Sequence, residues 1–104
     1  MSVRAILLYP FKAGSTFNIN YYISTHMPSV AKLYGPYGLV RWEVLQFSGD
    51  ETSPYIVQTV LFWDNLDQLN AANSSDGAKY LREDIKNFSS VMPVALVGNI
   101  AGQS

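Results

Sequence analysis

Two strand-like stretches follow each other in the middle of the chain, LVRWEVLQF at residues 39–47 and YIVQTVLFW at residues 55–63. Both are rich in β-branched and aromatic residues, which favour an extended backbone on a pleated surface. The connection between them, Ser48 to Pro54, is polar and contains Gly49, a composition typical of a turn. Two successive strands joined in this way are expected to pair as an antiparallel hairpin.

An amphipathic helix is predicted before the hairpin, from Phe17 to about Tyr34, with Thr16 as its N-cap. Apolar residues recur there at steps of three and four, which places them on one face of a helix. This predicted buried face consists of Ile19, Tyr22 or Ile23, His26, Val30 and Leu33. Pro28 cannot donate a hydrogen bond to the carbonyl of Ser24, so a kink or a break is expected at that point.

A second helical region is predicted after the hairpin, from Asp64 as the N-cap to about Lys86. Asp67 would stabilise the amino end of this helix, because the helix dipole favours a negative charge there. The stretch SSDG at residues 74–77 interrupts the apolar spacing. The region is therefore expected to consist of two helical pieces.

The two ends of the chain supply the remaining strands. Residues 3–9, VRAILLY, are apolar on both alternating faces apart from Arg4, which is typical of a central strand. Residues 92–100 predict a last strand, in which Pro93 fits only the start or an edge position. The order strand, helix, strand, strand, helix, strand predicts an α+β fold of the ferredoxin-like βαββαβ type in a single domain, residues 1–104. Such a fold has a four-stranded antiparallel sheet with its helices on one face.

The other face of this sheet also needs cover, because the strands are apolar on both faces. Only 14% of the residues are charged, against the usual quarter or so, roughly 25%. A second copy of the same sheet is the simplest cover. We therefore expect a homodimer whose two sheets close into an α+β barrel.

Composition narrows the classes of function and location. The formal net charge is -1 without a basic run, so no nucleic-acid partner is expected. With one histidine and no cysteine, neither a metal site nor a disulfide is expected. No glycine-rich phosphate loop follows a strand, and no cofactor is expected. The apolar start, Val3 to Phe11, is too short to cross a membrane, so we expect a cytoplasmic protein with no membrane partner.

The one histidine, His26, is the candidate catalytic residue. An imidazole titrates at about pH 6.5 and can therefore act as a general acid or base near neutrality. Tyr21 and Tyr22 lie five and four residues before it. A lone histidine on a buried helix face is often a packed core residue, so both interpretations stay open at this point.

Aromatic side chains are the candidate substrate-binding residues. A cavity lined by several aromatic rings with a few polar groups suits a planar or cyclic apolar ligand. The candidates are Tyr22, Tyr34, Trp42 and Phe62. Ordinary packing is the alternative for each of them. Asp84 lies late in the second helical region, where a carboxylate opposes the helix dipole, and a structural role is favoured for it.

The chain resembles the EthD family, which is named for a protein linked to ethyl tert-butyl ether degradation. The resemblance lies in YYISTHMP at residues 21–28, in Lys32, Gly35 and Gly38, and in DIKNF at residues 84–88. It implies the dimeric α+β barrel superfamily, which includes cofactor-independent monooxygenases, polyketide cyclases and muconolactone isomerases. It also implies that the histidine of the family's motif is His26.

Three functions agree with these features. The first is a small cofactor-independent enzyme, an oxidoreductase, isomerase or lyase, that acts on an aromatic, polyketide-like or lactone compound. In it His26 transfers a proton, and Tyr22 or a neighbouring tyrosine stabilises an enolate oxygen. The second is a non-catalytic protein that binds a hydrophobic small molecule in a degradation or stress pathway. The third is a stress-related dimer in which His26 only packs.

Overall fold

The computed structural model describes residues 2–48 and 52–104. Its strands are β1 (Val3–Pro10), β2 (Arg41–Gln46), β3 (Tyr55–Trp63) and β4 (Val94–Asn99). Its α-helices are α1 (Ile19–Tyr21), α2 (Met27–Tyr34), α3 (Leu66–Asn73) and α4 (Asp76–Asp84). A π-helical turn, Tyr22–His26, joins α1 to α2, and 3-10 turns follow α2 at Gly35–Tyr37 and α4 at Ile85–Asn87. The predicted connection of the hairpin includes residues 49–51, which lie outside the described residues.

The four strands form one antiparallel sheet in the order β2-β3-β1-β4. The two strands quoted at the start do pair, with Trp42 opposite Leu61 and Val44 opposite Thr59. This order and the alternation of strands and helices confirm the predicted ferredoxin-like α+β fold. No helix in the described part of the chain is long and apolar enough to cross a membrane.

The two faces of the sheet differ in burial. On the face that the helices cover, alternate residues of β3 are buried, namely Val57, Thr59, Leu61 and Trp63. On the opposite face, Leu45 of β2 and Leu96 of β4 are each 50% exposed. We call this second surface, which also includes Ile6, Val60 and Val94, the open sheet face. The sheet therefore has the predicted helical cover on one face. The apolar side chains of the open sheet face are not covered by the described residues.

Both predicted N-caps were wrong by one or two residues. The side chain of Asn18, not that of Thr16, accepts the hydrogen bond that starts α1. Thr16 instead hydrogen-bonds to Ser90, because its amide donates to Ser90 Oγ at 2.8 Å and its carbonyl accepts from the Ser90 amide at 3.1 Å. Asn65, not Asp64, caps α3 by accepting from the amide of Gln68. An amide oxygen serves as a cap as well as a carboxylate does, so the sequence alone did not separate the neighbouring candidates.

The interruption predicted at residues 74–77 is confirmed, although it is shorter. Ser75 ends the break, because its hydroxyl accepts from the amide of Ala78 and caps α4. The last strand begins at Val94, after Pro93, at the edge of the sheet. This placement satisfies proline, which has no amide proton to offer to a neighbouring strand.

The helix is not broken at Pro28. Instead, the chain stays helical and widens to a π-helical turn immediately before the proline, where the amide of Met27 donates to the carbonyl of Tyr22. A proline ring crowds the carbonyl four residues earlier in a regular α-helix, and a wider turn relieves that contact. Side-chain hydroxyls donate hydrogen bonds to backbone carbonyls in this region. Ser24 donates to the carbonyl of Asn20, and Ser29 donates to the carbonyl of Thr25.

Candidate functional site

His26 forms a buried pair with a carboxylate from the second helical region. The distance from His26 Nδ1 to Asp84 Oδ2 is 2.8 Å, and the two residues are 4% and 7% exposed. The sequence assigned Asp84 a structural role, and the structure makes it the hydrogen-bond partner of the imidazole. An ionised carboxylate can only accept, so Nδ1 carries the proton and Nε2 holds a free lone pair.

Asp84 is held in place by two further donors. The Tyr21 hydroxyl donates to Asp84 Oδ1 at 2.7 Å, and the Asn87 side-chain amide donates to the same oxygen at 2.8 Å. Each carboxylate oxygen therefore has at least one partner, and the carboxylate cannot rotate without losing a hydrogen bond. This arrangement fixes the orientation of the imidazole that it accepts from.

The π-helical turn makes this constellation possible. In an α-helix successive residues are rotated by about 100°, so residues five apart lie about 140° apart around the axis. In a π-helical turn the hydrogen bond joins residues five apart, which brings them onto the same side of the helix. Tyr21 and His26 are five residues apart, and both reach the carboxylate of Asp84.

Two aromatic rings pack against the imidazole and against each other. The Tyr22 ring stacks on His26 with a centroid distance of 5.2 Å and an interplanar angle of 13°. The Phe88 ring lies at 4.6 Å on a tilted approach. Tyr22 is itself anchored in the sheet, because its hydroxyl lies 2.5 Å from Thr59 Oγ1 of β3. The ring of His26 is therefore fixed by packing as well as by hydrogen bonding.

Burial and hydrogen bonding set the charges of the pair. Burial lowers the pKa of His26 below its ordinary value, and the hydrogen bond to Asp84 opposes this change only in part. Burial raises the pKa of Asp84, but the donors Asn87, His26 and Tyr21 outweigh it, so the pKa of this carboxyl is lowered. Burial raises the pKa of Tyr22 to about 12. The resting state is a neutral imidazole beside an ionised carboxylate.

A cavity of about 390 Å³ lies beside His26, between the helices and the β1 and β4 side of the sheet. Its walls are largely apolar and include Met27, Val30, Leu61, Leu81 and Ile85. His26, Tyr22 and Tyr34 all line it. Because Nδ1 of His26 is bonded to Asp84, the imidazole edge that remains for the cavity is Nε2, which makes no hydrogen bond within residues 2–48 and 52–104.

The structure separates the predicted substrate-binding residues into two groups. Tyr22 and Tyr34 line the cavity together with His26. Trp42, on β2, is half-buried and packs against the core, and it is not among the residues that line the cavity. Phe62 lies on the open sheet face, between the guanidinium groups of Arg4 and Arg41 at 4.2 and 3.9 Å from its ring centroid. Neither Trp42 nor Phe62 is therefore placed to contact a ligand beside His26.

Sequence reasoning missed Asp84 and Tyr21 as partners of His26. The signal for Asp84 was its position at the carboxyl end of α4, which is unfavourable for a carboxylate unless a specific donor lies nearby. Tyr21 gave no such signal, since regular helical spacing places it away from His26. Among the described residues no group of three metal-ligating side chains lies together.

The chain has close structural relatives of low sequence identity. No protein-family model matches it, and no curated protein matches it. An EthD-like protein from Ralstonia eutropha JMP134 is 24% identical, and the match covers 99% of this chain and 95% of that protein with a TM-score of 0.82. The chain thus has the fold of an EthD-like protein over nearly its whole length, as the resemblance implied.

Two further solved structures share this fold. SnoaB from Streptomyces nogalater, described as a cofactor-independent oxygenase, is 12% identical with a TM-score of 0.70, over 98% of this chain and 95% of its own. A protein of unknown function from Thermobifida fusca YX, described as dimeric and ferredoxin-like, is 17% identical with a TM-score of 0.64, over 96% of this chain and 92% of its own.

Proposed function

We propose that this protein is a small cofactor-independent enzyme in which His26 transfers a proton to and from an aromatic, polyketide-like or lactone substrate. One observation carries the proposal, the buried pair of His26 and Asp84 beside a largely apolar cavity. A histidine that serves only packing needs neither an oriented carboxylate nor a neighbouring cavity. A general base needs both, because its free nitrogen must face the substrate in a fixed direction.

The proposed step begins with neutral His26. Nε2 takes a proton from an activated carbon of the substrate, and the electron pair of the broken C–H bond moves onto a neighbouring carbonyl oxygen to form an enolate. Asp84 stabilises the imidazolium that results through the hydrogen bond from Nδ1. Return of the proton from Nε2 to another atom of the substrate completes an isomerisation, a cyclisation or an elimination and regenerates the neutral base.

Tyr34 is the tyrosine best placed to stabilise the enolate oxygen. Its side chain lines the cavity, and its hydroxyl makes no hydrogen bond within the described part of the chain. The hydroxyl of Tyr22, which the sequence favoured for this role, already lies against Thr59 and is fully buried. A donor aimed at the site where negative charge develops accelerates such a step.

Cofactor-free oxidation is a variant of the same chemistry. An electron-rich carbanion formed by proton abstraction can react with dioxygen directly, so the first step at His26 would be identical. The likeness to SnoaB, described as a cofactor-independent oxygenase, supports this variant without defining the substrate. Decarboxylation is a further variant, in which Nε2 first takes the proton of the substrate's carboxyl group, carbon dioxide leaves, and His26 returns that proton to the carbanion.

Deuterium exchange into a neutral, enolisable probe tests the role of His26. We expect the wild type to accelerate exchange at the carbon next to the carbonyl of 2-tetralone in D₂O, as followed by proton NMR. The variant His26→Gln should lower the accelerated rate by about 10²-fold or more, because the base is lost. Tyr80→Phe is the control, since Tyr80 is 55% exposed and outside the cavity. Equal rates for His26→Gln and the wild type would contradict the proposal.

A non-catalytic binding protein for a hydrophobic small molecule is the second candidate. The apolar lining of the cavity favours it, because a cavity of this size and character binds an apolar ligand whether or not chemistry follows. The same variants separate the two functions. A binding protein keeps its affinity in His26→Gln and accelerates no exchange in the wild type, whereas an enzyme keeps its affinity and loses the acceleration.

We also infer that the protein is a homodimer that pairs through the open sheet face. This face exposes Leu45, Val94 and Leu96, which are 50%, 42% and 50% accessible in the single chain. Contiguous apolar surface of this kind marks an interaction site. The relative from Thermobifida fusca that is described as dimeric supports a second copy of the chain as the partner.

A further inference from the structure

The cavity beside His26 carries charge of one sign at its rim. Among residues 2–48 and 52–104, Arg82 of α4 is the one charged side chain that lines it, and none of the aspartates and glutamates in these ranges does so. The carboxylate of Asp84, two residues after Arg82, faces His26 and is not part of the lining. A largely apolar cavity with one cation and no anion favours a ligand that is apolar over most of its surface and negative at one end.

The guanidinium of Arg82 is available for such a ligand. Within residues 2–48 and 52–104 the ion pairs are His26 with Asp84 and Arg41 with Glu43, so Arg82 pairs with no carboxylate there. Arg82 is exposed to solvent and lines the cavity, so its guanidinium is accessible to a ligand that enters there. A guanidinium binds a carboxylate through two parallel hydrogen bonds, which also fix the orientation of the ligand.

Arg82 acts on the same part of the cavity as Tyr34. Burial raises the pKa of the Tyr34 hydroxyl, and the positive charge of Arg82 opposes this change, so the guanidinium field reaches the hydroxyl. Tyr34 and Arg82 both line the cavity, from α2 and α4 respectively. A negative oxygen held between them would have a charged donor on one side and a neutral donor on the other.

We propose that the substrate of this site bears an ionised carboxylate on an aromatic or cyclic skeleton, and that Arg82 binds this group at the cavity mouth while the skeleton lies in the apolar part beside His26. This inference rests on the proposed function for the location of the site. It adds the chemical class of the substrate and assigns Arg82 as a specificity-determining residue. The role of Arg82 is binding, and the proton transfer stays with His26.

A matched pair of ligands tests the inference. The probes are 2-naphthoate and 2-naphthamide, which have the same rings and nearly the same shape but differ in charge. Their affinities are measured by titration calorimetry above neutral pH, where His26 is uncharged and cannot attract the anion itself. The variants are Arg82→Gln and the control Lys79→Gln, which removes the same charge from an exposed position of α4 outside the cavity lining.

We expect the wild type to prefer 2-naphthoate over 2-naphthamide by about tenfold, as for one charge-assisted contact near a surface. The preference should fall to less than about twofold in Arg82→Gln and persist in Lys79→Gln. Equal affinities in the wild type, binding of neither probe, or a preference that survives in Arg82→Gln would overturn the inference. So would an equal loss in both variants, because that indicates net charge and not a specific contact.

Failure of this inference and failure of the proposed function are separate results. The exchange test of His26 uses a neutral ketone that has no group for Arg82 to bind. A protein that exchanges the ketone through His26 but binds both naphthalenes equally has the proposed chemistry and a neutral substrate. A protein that prefers the naphthoate through Arg82 but exchanges no probe is a binding protein for aromatic carboxylates.

Discussion

Asp84 decides what His26 can do. Without a fixed acceptor at Nδ1, a neutral imidazole exchanges between two tautomers and its free nitrogen has no defined direction. With Asp84 Oδ2 at 2.8 Å the proton stays on Nδ1 and the lone pair on the other nitrogen is directed away from the carboxylate. Tyr21 and Asn87 contact Asp84 and are not among the residues that line the cavity, so in the proposed function they are positioning residues.

Replacement of Asp84 by asparagine tests this relation. In Asp84→Asn the negative charge that raises the pKa of His26 is lost while burial remains, so we expect the pKa of His26 to fall further. We also expect the 2-tetralone exchange rate to fall by about 10²-fold or more, since the imidazolium loses its counter-charge. Proton NMR titration of His26 measures the first effect. A raised pKa of His26 in this variant would contradict the proposed charge state of the pair.

The pair also predicts how stability depends on pH. The pKa of His26 is lowered from 6.5 in the folded chain, so the unfolded chain binds more protons as the pH falls below 6.5. The free energy of unfolding should therefore have its full value above pH 6.5. It should decrease as the pH falls from 6.5 towards the lowered pKa of His26. Asp84 adds a second loss at lower pH, because its pKa is lowered from 3.8 and its stabilisation disappears when it is protonated.

Urea unfolding at a series of pH values measures this dependence. In His26→Gln the decrease that begins at pH 6.5 should be absent, whereas the decrease at lower pH should remain. The expected difference lies in the slope, so a uniform loss of stability in the variant does not obscure it. A variant with the same slope as the wild type through the weakly acidic range would show that His26 is not the group responsible.

At the scale of the elements, the turn after α2 positions the start of the hairpin. Gly38 has φ of 105°, a left-handed conformation in which a side chain is strained. A Cβ at this position would lie 2.6 Å from Nε2 of Gln68 on α3, so the glycine also permits the close approach of α3 to this turn. The conformation of this turn thus links α2, which follows the π-helical turn that contains His26, to α3 and to β2.

Alanine substitutions in this turn give a prediction with an internal control. Gly38→Ala should lower the free energy of unfolding by about 1–3 kcal/mol, because it combines left-handed strain with a steric contact. Gly35→Ala should leave it unchanged or raise it by up to about 1 kcal/mol. Gly35 has φ of -53° and no atom within 4 Å of the added Cβ. Chemical denaturation measures both, and equal effects at the two positions would contradict the argument.

At the scale of the whole molecule, one face of the sheet has no cover from the residues that the structure describes. The centre of this open sheet face is Val60 of β3, which lies between Ile6 of β1 and Glu43 of β2. A second copy of the chain would bury these side chains and close the sheets against each other. The compositional shortage of charged residues then has a physical explanation, because the dimer exposes less apolar surface than two separate chains.

Sedimentation tests the dimer. At low micromolar concentration the wild type should sediment at twice the chain mass of 11.6 kDa. Val60→Lys should sediment as a single chain, since an ammonium at the centre of the interface would lose its hydration on association, whereas it stays solvated in the separate chain. Tyr80→Lys, on the exposed side of α4, is the control and should remain dimeric. A wild type that sediments only as a single chain would exclude the homodimer.

The fold was within reach of the sequence because it depends on patterns that repeat along the chain. The two strand-like stretches at residues 39–47 and 55–63, and the alternation of strands and helices around them, leave few topologies. Element bounds were less certain, since the hydrogen-bond capacities of Thr16 and Asn18, or of Asp64 and Asn65, are similar, and only packing selects between them.

Only part of the candidate site could be predicted from the sequence. Its histidine stands alone in the sequence, and the periodicity placed it on a buried face with Tyr22. Asp84 lies 58 residues away along the chain, and no local pattern connects the two. Tyr21 joins them only because the π-helical turn before Pro28 brings residues five apart onto one side. The sequence by itself determined the architecture and singled out His26 as the candidate base. The tertiary structure decided the partner, the orientation and the cavity, because these depend on contacts between segments that are remote in sequence.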